Sequence, residues 1–231
     1  VYLKDLSIPI FEMSGFGDTY VKMSAHLKGL PDAKRAYYDV TINQFTSTKK
    51  DILSITPPKT IPSNVNIPDR FALSGYFKGG MNAFVTKLGL KTNKGNVNID
   101  GSMKPGNAYA IKANLQNIDA GYLTKQPQNV GIITANIIAS GSGFDIKKAN
   151  AKYALDVVSA QVKGYTYKDL KVDGEINNGV NQTTASIHDP NISLNLDATA
   201  DMRSTYPPIK LDLQLDTLNA KALNLITDTL S

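Results

Sequence analysis

The sequence predicts an all-β fold: a meandering antiparallel array of roughly 12 to 14 strands, curved into an elongated apolar trough. Three observations carry this. Apolar and polar residues alternate with a period of two in run after run, the pattern of a sheet with one wetted face. Turn residues punctuate the runs at short intervals. Of the 20 acidic residues only Glu12 and Glu175 are glutamates. A chain that takes its acidity from Asp, a residue of turns and strand ends, and makes little use of the helix former Glu is not a helical protein.

Taken in order, Val21, Met23, Ala25 and Leu27 alternate with Lys22, Ser24 and His26. Apolar strands follow over 71–79 and 84–92, separated by the turn at Gly79-Gly80. Val97, Ile99 and Met103 alternate with Asn98, Asp100 and Ser102. Across the turn Lys104-Pro105-Gly106-Asn107 comes a face of Tyr109, Ile111, Ala113 and Leu115. Asn177-Asn178-Gly179 and Asp189-Pro190 mark later turns, and Ile192, Leu194, Leu196 and Ala198 form another apolar face. Ile209, Leu211, Leu213 and Leu215 form the last, with Lys210, Asp212 and Gln214 opposite. The Leu-rich stretches 118–124 and 218–230 close their strand groups and are expected to form a short helix or turn.

Two proline-containing joints divide the chain. The run from Pro57 to Pro68 cannot supply a regular ladder of donors and reads as an extended connection over 57–70. Lys125-Gln126-Pro127 begins a shorter one. The expected organisation is a first strand group at 1–56, the connection, a β repeat at 71–124 and a second, longer repeat at 125–231. The repeat is visible in the residues: 115–123 aligns without gaps with 215–223, matching Leu115 to Leu215, Ala120 to Ala220 and Leu123 to Leu223, with Ile118 facing Leu218. The order of blocks suggests one continuous array, and the start at Val1 suggests a piece of a longer protein.

The chain offers little to a catalytic reading. It has no cysteine, so thiolate metal sites and cysteine nucleophiles are ruled out. His26 and His188 sit on or at the end of alternating strands, far apart in sequence, and a strand-surface role suits both. Ser140-Gly141-Ser142-Gly143 lacks the spacing of a nucleophile elbow, and Gly15-Phe16-Gly17 lacks the third glycine of a dinucleotide fingerprint. Asp212 and Asp216 share a polar strand face with no apolar pocket to separate their acidities. No enzyme activity, metal or cofactor is expected. The net charge is +5, but the basic residues are spread from Lys4 to Lys221 with no dense run, so no nucleic acid partner is expected either. No apolar run approaches the roughly 18 residues of a membrane-spanning helix.

The order of motifs resembles the strand-rich repeat region of the AsmA-like superfamily, and most of all its translocation and assembly modules. The resemblance rests on 71–79 followed by 84–92, then 95–103 and 115–123, with 162–176 and 188–196 of the same character. It covers most of residues 36–226. It implies a middle portion of a protein of the cell envelope, anchored in the inner membrane and extending through the periplasm. It further implies a role in outer-membrane assembly and in phospholipid transport between the membranes, with phospholipid acyl chains held in an apolar β-groove. An outer-membrane assembly barrel would be a partner through a part of the parent protein outside this sequence.

The residues expected to line that groove are Val97, Ile99, Met103, Tyr109, Ile111, Ala113, Leu115, Ile192, Leu194, Leu196, Ile209, Leu211 and Leu213. Acyl chains gain about 0.8 kcal/mol per buried methylene, so such a face can hold lipid without dedicated polar ligands. Alternation by itself does not distinguish an open groove from a filled core. A structural or adhesive β-sandwich module, carbohydrate-binding through Tyr165 and Tyr167, is the other reading.

Overall fold

In the computed structural model, which describes residues 4–57 and 59–226, thirteen strands form one antiparallel sheet whose spatial order is their order in the sequence. They are β1 (Asp5–Gly15), β2 (Thr19–Lys28), β3 (Tyr37–Thr48), β4 (Arg70–Gly80), β5 (Ala83–Thr92), β6 (Gly95–Lys104) and β7 (Ala108–Asp119). β8 (Val130–Ser142), β9 (Asn150–Val162), β10 (Tyr165–Asn177), β11 (Val180–Asp189), β12 (Ile192–Asp201) and β13 (Ile209–Leu218) continue the meander. The sheet is curved and does not close: β1 and β13 are its two edges. At about 4.8 Å per strand it extends roughly 60 Å across the strands.

A regular period of two would make a featureless ribbon, and the bulges bend it. Register shifts fall between Ile8 and Phe11, between Ile42 and Phe45, between Leu115 and Ile118, and where the start of β12 meets the end of β13. Each inserts an unpaired residue, increases the local twist and turns the strand. Asn117, inside the third of these, has a positive φ of 50°.

Two short helices interrupt the meander, both on one rim. α1 (Lys49–Ile55) follows β3, and α2 (Ala120–Thr124) follows β7. Odd-numbered strands run the same way in an antiparallel meander, so the ends of β3, β7 and β13 share that rim. The start of α1 is set by Thr48, whose Oγ1 accepts the Asp51 N–H at 3.2 Å. Pro57 comes soon after its end and prevents continuation. This helix is not visible in the alternation pattern, because 49–55 lies between a strand and a proline run and shows less than two turns of periodicity. The expected helix or turn at 118–124 is α2. Over 219–226 the counterpart is a series of turns, and residues 227–230 of that stretch lie outside the described residues.

The described residues do not build the interior of an ordinary two-layer domain. The buried apolar side chains among them are few: Ala25, Ala36, Ala135, Ala149, Val157, Ile187 and Leu223. The chain exposes 14939 Å², against roughly 10,000 Å² for a compact monomer of this mass. A single layer explains the excess.

Candidate functional site

The pairing register shows which side chains share a face, because directly opposed residues point the same way. One row starts at Met13 and passes through Val21, Phe45, Leu73, Leu90 and Val97 to Leu115. It continues through Ala135, Val157, Leu170 and Ile187 to Leu194 and Leu215. Every strand contributes an apolar residue to this row. The neighbouring row, through Leu88, Ile99, Ala113, Ile137 and Leu155 to Leu196 and Leu213, is apolar except at Gly75. The sheet therefore carries one continuous apolar face from edge to edge.

The sequence-predicted lining residues all belong to that face. Val97 opposes Leu115, Ile99 opposes Ala113 and Met103 opposes Tyr109, while Ile111 opposes Gly101. At the far end Leu196 opposes Leu213, and Ala198 and Ala200 oppose Leu211 and Ile209. Ile192 and Leu194 lie on the same side of β12, opposite Leu218 and Leu215. Their environments differ. Val97, Ile99 and Leu194 are half-buried by their same-face neighbours, whereas edge residues Ile209 and Leu211 are 70% and 60% exposed. Among the described residues no second sheet or helix layer lies against the face: each strand's partners in the fold are its neighbours, with α2 touching β8 and α1 touching β3.

The same face continues through residues that the alternation did not single out, among them Phe45, Ile137, Leu155 and Ile187. A bulge hides them. Leu115 and Ile118 are both on the apolar side of β7 although three residues apart, so an alternation read across the bulge assigns one of them to the wrong side. The signal that finds such residues is the break itself, a lone phase slip within an otherwise regular run.

Aromatic rings concentrate at one side of the face. Phe77 stacks on Phe84 at a centroid distance of 4.9 Å and meets Tyr38 edge-on at 6.4 Å, and Phe45 meets Phe71 edge-on at 5.7 Å. Tyr165 and Tyr167 also lie on the apolar side, edge-to-face at 4.9 Å. The Tyr165 hydroxyl donates to the Asp189 carboxylate and accepts from Asn191 Nδ2 at 3.0 Å. Asp189, 5% exposed, also accepts the backbone N–H groups of Lys168 and Asn191 at 3.1 and 2.9 Å. Its hydrogen bonds satisfy a carboxylate that would otherwise be costly at the rim of an apolar surface, and the bond it accepts from Tyr165 raises the pKa of that hydroxyl.

The opposite face is polar and carries two clefts. One of about 620 Å³ lies among Lys87, Asp100, Lys112 and Asn136, and one of about 690 Å³ among Lys152, Asp173, Glu175, Asp197, Lys210 and Asp212. Small residues such as Gly89 and Ala154 leave room between the long side chains. Asp197 and Asp212 are directly opposed on adjacent strands. His26 pairs with Asp5 at 2.6 Å on the exposed surface. Among the described residues, no three His, Cys, Asp or Glu side chains gather as a metal site requires, and no helix is long and apolar enough to cross a membrane. Comparison with protein-family models, with curated proteins and with solved structures found nothing that matches this chain.

Proposed function

We propose that the apolar face of the sheet holds phospholipid acyl chains, and that the chain is a middle portion of an AsmA-like envelope protein, similar to the translocation and assembly modules. In that setting it stands in the periplasm as part of an inner-membrane-anchored parent. It contributes a surface along which phospholipid passes between the membranes, in support of outer-membrane assembly. It acts without catalysis.

The observation that carries the reading is the uninterrupted apolar row across all thirteen strands, with no layer of the described residues over it. Leaving so much apolar surface in water is unfavourable at about 25 cal/mol per Å², so a face of this extent calls for a cover. Acyl chains are a suitable cover for the two apolar rows, since their gain comes from area alone and imposes no register. Sliding along the face then changes little in energy, which suits a conduit better than a storage site.

Photoreactive residues placed at Ile99 and Leu196 test this against the polar-side neighbours Asn98 and Asn195. In bacterial cells producing the parent protein, capture of phospholipid is expected from the first pair at least several-fold above the second. Equal capture from both pairs, or none from either at matched protein levels, would overturn the reading.

A further inference from the structure

The rim opposite the helices carries the tips of the hairpins β8–β9, β10–β11 and β12–β13, because even-numbered strands end there. These tips form one surface. A Cβ on Gly179, in the middle tip, would lie 2.4 Å from the Lys147 carbonyl oxygen and 2.7 Å from Arg203 Cγ. The Met202 N–H donates to the Gly179 carbonyl at 2.8 Å. In the first tip Phe144 is 70% exposed and stacks on Tyr109 of the apolar face, with ring centroids 5.7 Å apart and planes within 12° of parallel. Lys147 and Lys148 follow in the same turn, both exposed.

The acids of this surface are already engaged. Asp145 Oδ1 accepts the Lys147 N–H at 3.0 Å, and the Asp145 carbonyl accepts those of Lys148 and Ala149 at 2.8 and 2.7 Å. Asp201 pairs with Arg203 at 2.6 Å. The ammonium groups of Lys104, Lys147 and Lys148 make no ion pair among the described residues. At the helix-bearing rim the apolar side ends in carboxylates instead. Asp51 there accepts from Thr19 Oγ1 at 3.4 Å, and Asp189 is bonded to Tyr165. Lys94 at that rim is paired with Asp119, and Lys125 Nζ donates to the Ser63 carbonyl.

From the face outward across the β8–β9 tip, the order is therefore apolar side chain, aromatic ring, unpaired ammonium. A phospholipid has the same order: acyl chain, glycerol ester, phosphate. Aromatic rings suit the ester zone, where one side is apolar and the other wet, and a lysine ammonium makes charge-assisted hydrogen bonds to phosphate.

We infer that the β8–β9 tip holds the head-group phosphate of a phospholipid whose acyl chains lie on the apolar face. Lys147 and Lys148 donate to the phosphate, and Phe144 lies against the glycerol esters. The inference rests on the acyl-chain reading and gives it a polarity: anionic heads lie along this rim and not along the carboxylate-bearing one. It also makes a lipid with a phosphate a better ligand than an uncharged one with the same chains.

Calorimetric titration of the 231-residue chain with dihexanoylphosphatidylglycerol and with dihexanoylglycerol isolates the phosphate, since the two share their acyl chains. The phospholipid is expected to bind about five-fold tighter or more. Lys147→Glu/Lys148→Glu is expected to weaken the phospholipid by about ten-fold and to leave dihexanoylglycerol within about two-fold, which also shows that the sheet is intact. Lys50→Glu/Lys163→Glu makes the same change of charge at the helix-bearing rim, on exposed residues, and is expected to leave both lipids within about two-fold. Dihexanoylglycerol binding as tightly as the phospholipid would overturn the inference and leave the acyl-chain reading standing, whereas binding of neither lipid would overturn both. Equal effects of the two double variants, or a loss at Lys147 and Lys148 that extends to dihexanoylglycerol, would overturn the inference as well. So would inorganic phosphate bound as tightly as the phospholipid, which would make the tip a site for free phosphate.

Discussion

The closing segments 115–124 and 215–224 start from similar sequences and open with the same cap, but the first continues as helix α2 and the second as a series of turns. In the first, Asp119 Oδ1 accepts the Tyr122 N–H at 3.0 Å; in the second, Asn219 Oδ1 accepts the Ala222 N–H at 3.1 Å. Each segment is also tied to the hairpin just behind it. The Asp119 N–H donates to the Lys94 carbonyl at 3.0 Å, and the Asn219 N–H donates to the Asn191 carbonyl at 2.8 Å. A third closure, after β3, uses Thr48 as the cap, and there the Asp51 carboxylate accepts the N–H of Asp18 from the β1–β2 hairpin at 3.0 Å. Three strands running the same way thus end in a capped turn folded onto the same rim.

The side chains of the first turn are suited to the element that comes after it. Beyond α2 the chain doubles back at once into β8, and a Cβ on Gly121 would lie 2.1 Å from the Val130 carbonyl oxygen and 2.8 Å from Pro127 Cα. The equivalent position in the second closure is Lys221. Leu223 is fully enclosed there at 0% exposure, while the aligned Leu123 is half-buried. In the first closure the cap fixes the turn, and the return into β8 leaves no room for a side chain at Gly121.

If enclosure distinguishes the two leucines, truncating them should separate the closures most sharply. Leu223→Ala is expected to cost about 2–5 kcal/mol, the range for an enclosed leucine, and Leu123→Ala roughly half as much. Urea denaturation of both variants measures the difference. Equal losses would mean that the two closures pack alike.

A smaller separation is expected at the aligned pair Gly121 and Lys221. Gly121→Ala forces a methyl group against backbone that cannot swing aside, at a cost of about 1–3 kcal/mol. Lys221→Ala shortens an exposed side chain and is expected to cost less than about 1 kcal/mol. Hydrogen exchange at Val130 and its neighbours should speed up in the first variant alone, because the clash falls on the start of β8.

Much of this fold is legible in the sequence, for a physical reason: in a single-layer meander each strand pairs with its neighbours in the chain, so local pattern and turn spacing set the topology. The match of 115–123 to 215–223 is likewise a match of local chemistry, Asp or Asn at the cap and Leu at the closing position. Features that depend on phase slips or on non-local contacts escape the alternation. The bulges at Ile42/Phe45 and Leu115/Ile118 put Phe45 and Ile118 out of phase with the apolar residues before them on β3 and β7. Helix α1 depends on its Thr48 cap and on the carboxylate of Asp51 reaching Asp18 and Thr19 across the rim. The exposure of the face is not legible at all, since Leu155 or Leu196 would alternate in the same way beneath a second sheet.

The finest separation of the closures is electrostatic. Asp119 carries a charge and Asn219 does not, although both cap the same turn. The Tyr122 N–H holds the Asp119 carboxyl below its ordinary pKa; burial opposes the shift, and Lys94, whose Nζ is 3.1 Å away, adds to it. A carboxyl depressed in the folded state binds its proton more readily when unfolded. Its stabilising contribution is therefore complete above the unfolded value of about 3.9, and it is lost as pH falls through the lower, folded value. Asp119→Asn keeps a capping oxygen and removes the charge, making the first closure resemble the second. Its cost relative to the native chain is expected to be at most about 1 kcal/mol at pH 6 and to shrink towards zero as the pH falls through the lowered, folded value. Asn219→Ala removes a neutral cap, so its cost of about 1 kcal/mol should stay level over the same range. Denaturant midpoints of both variants and the native chain, measured in parallel from pH 6 downward, decide the matter: a level difference for Asp119→Asn would show that hydrogen-bond geometry alone, and not charge, holds the first closure.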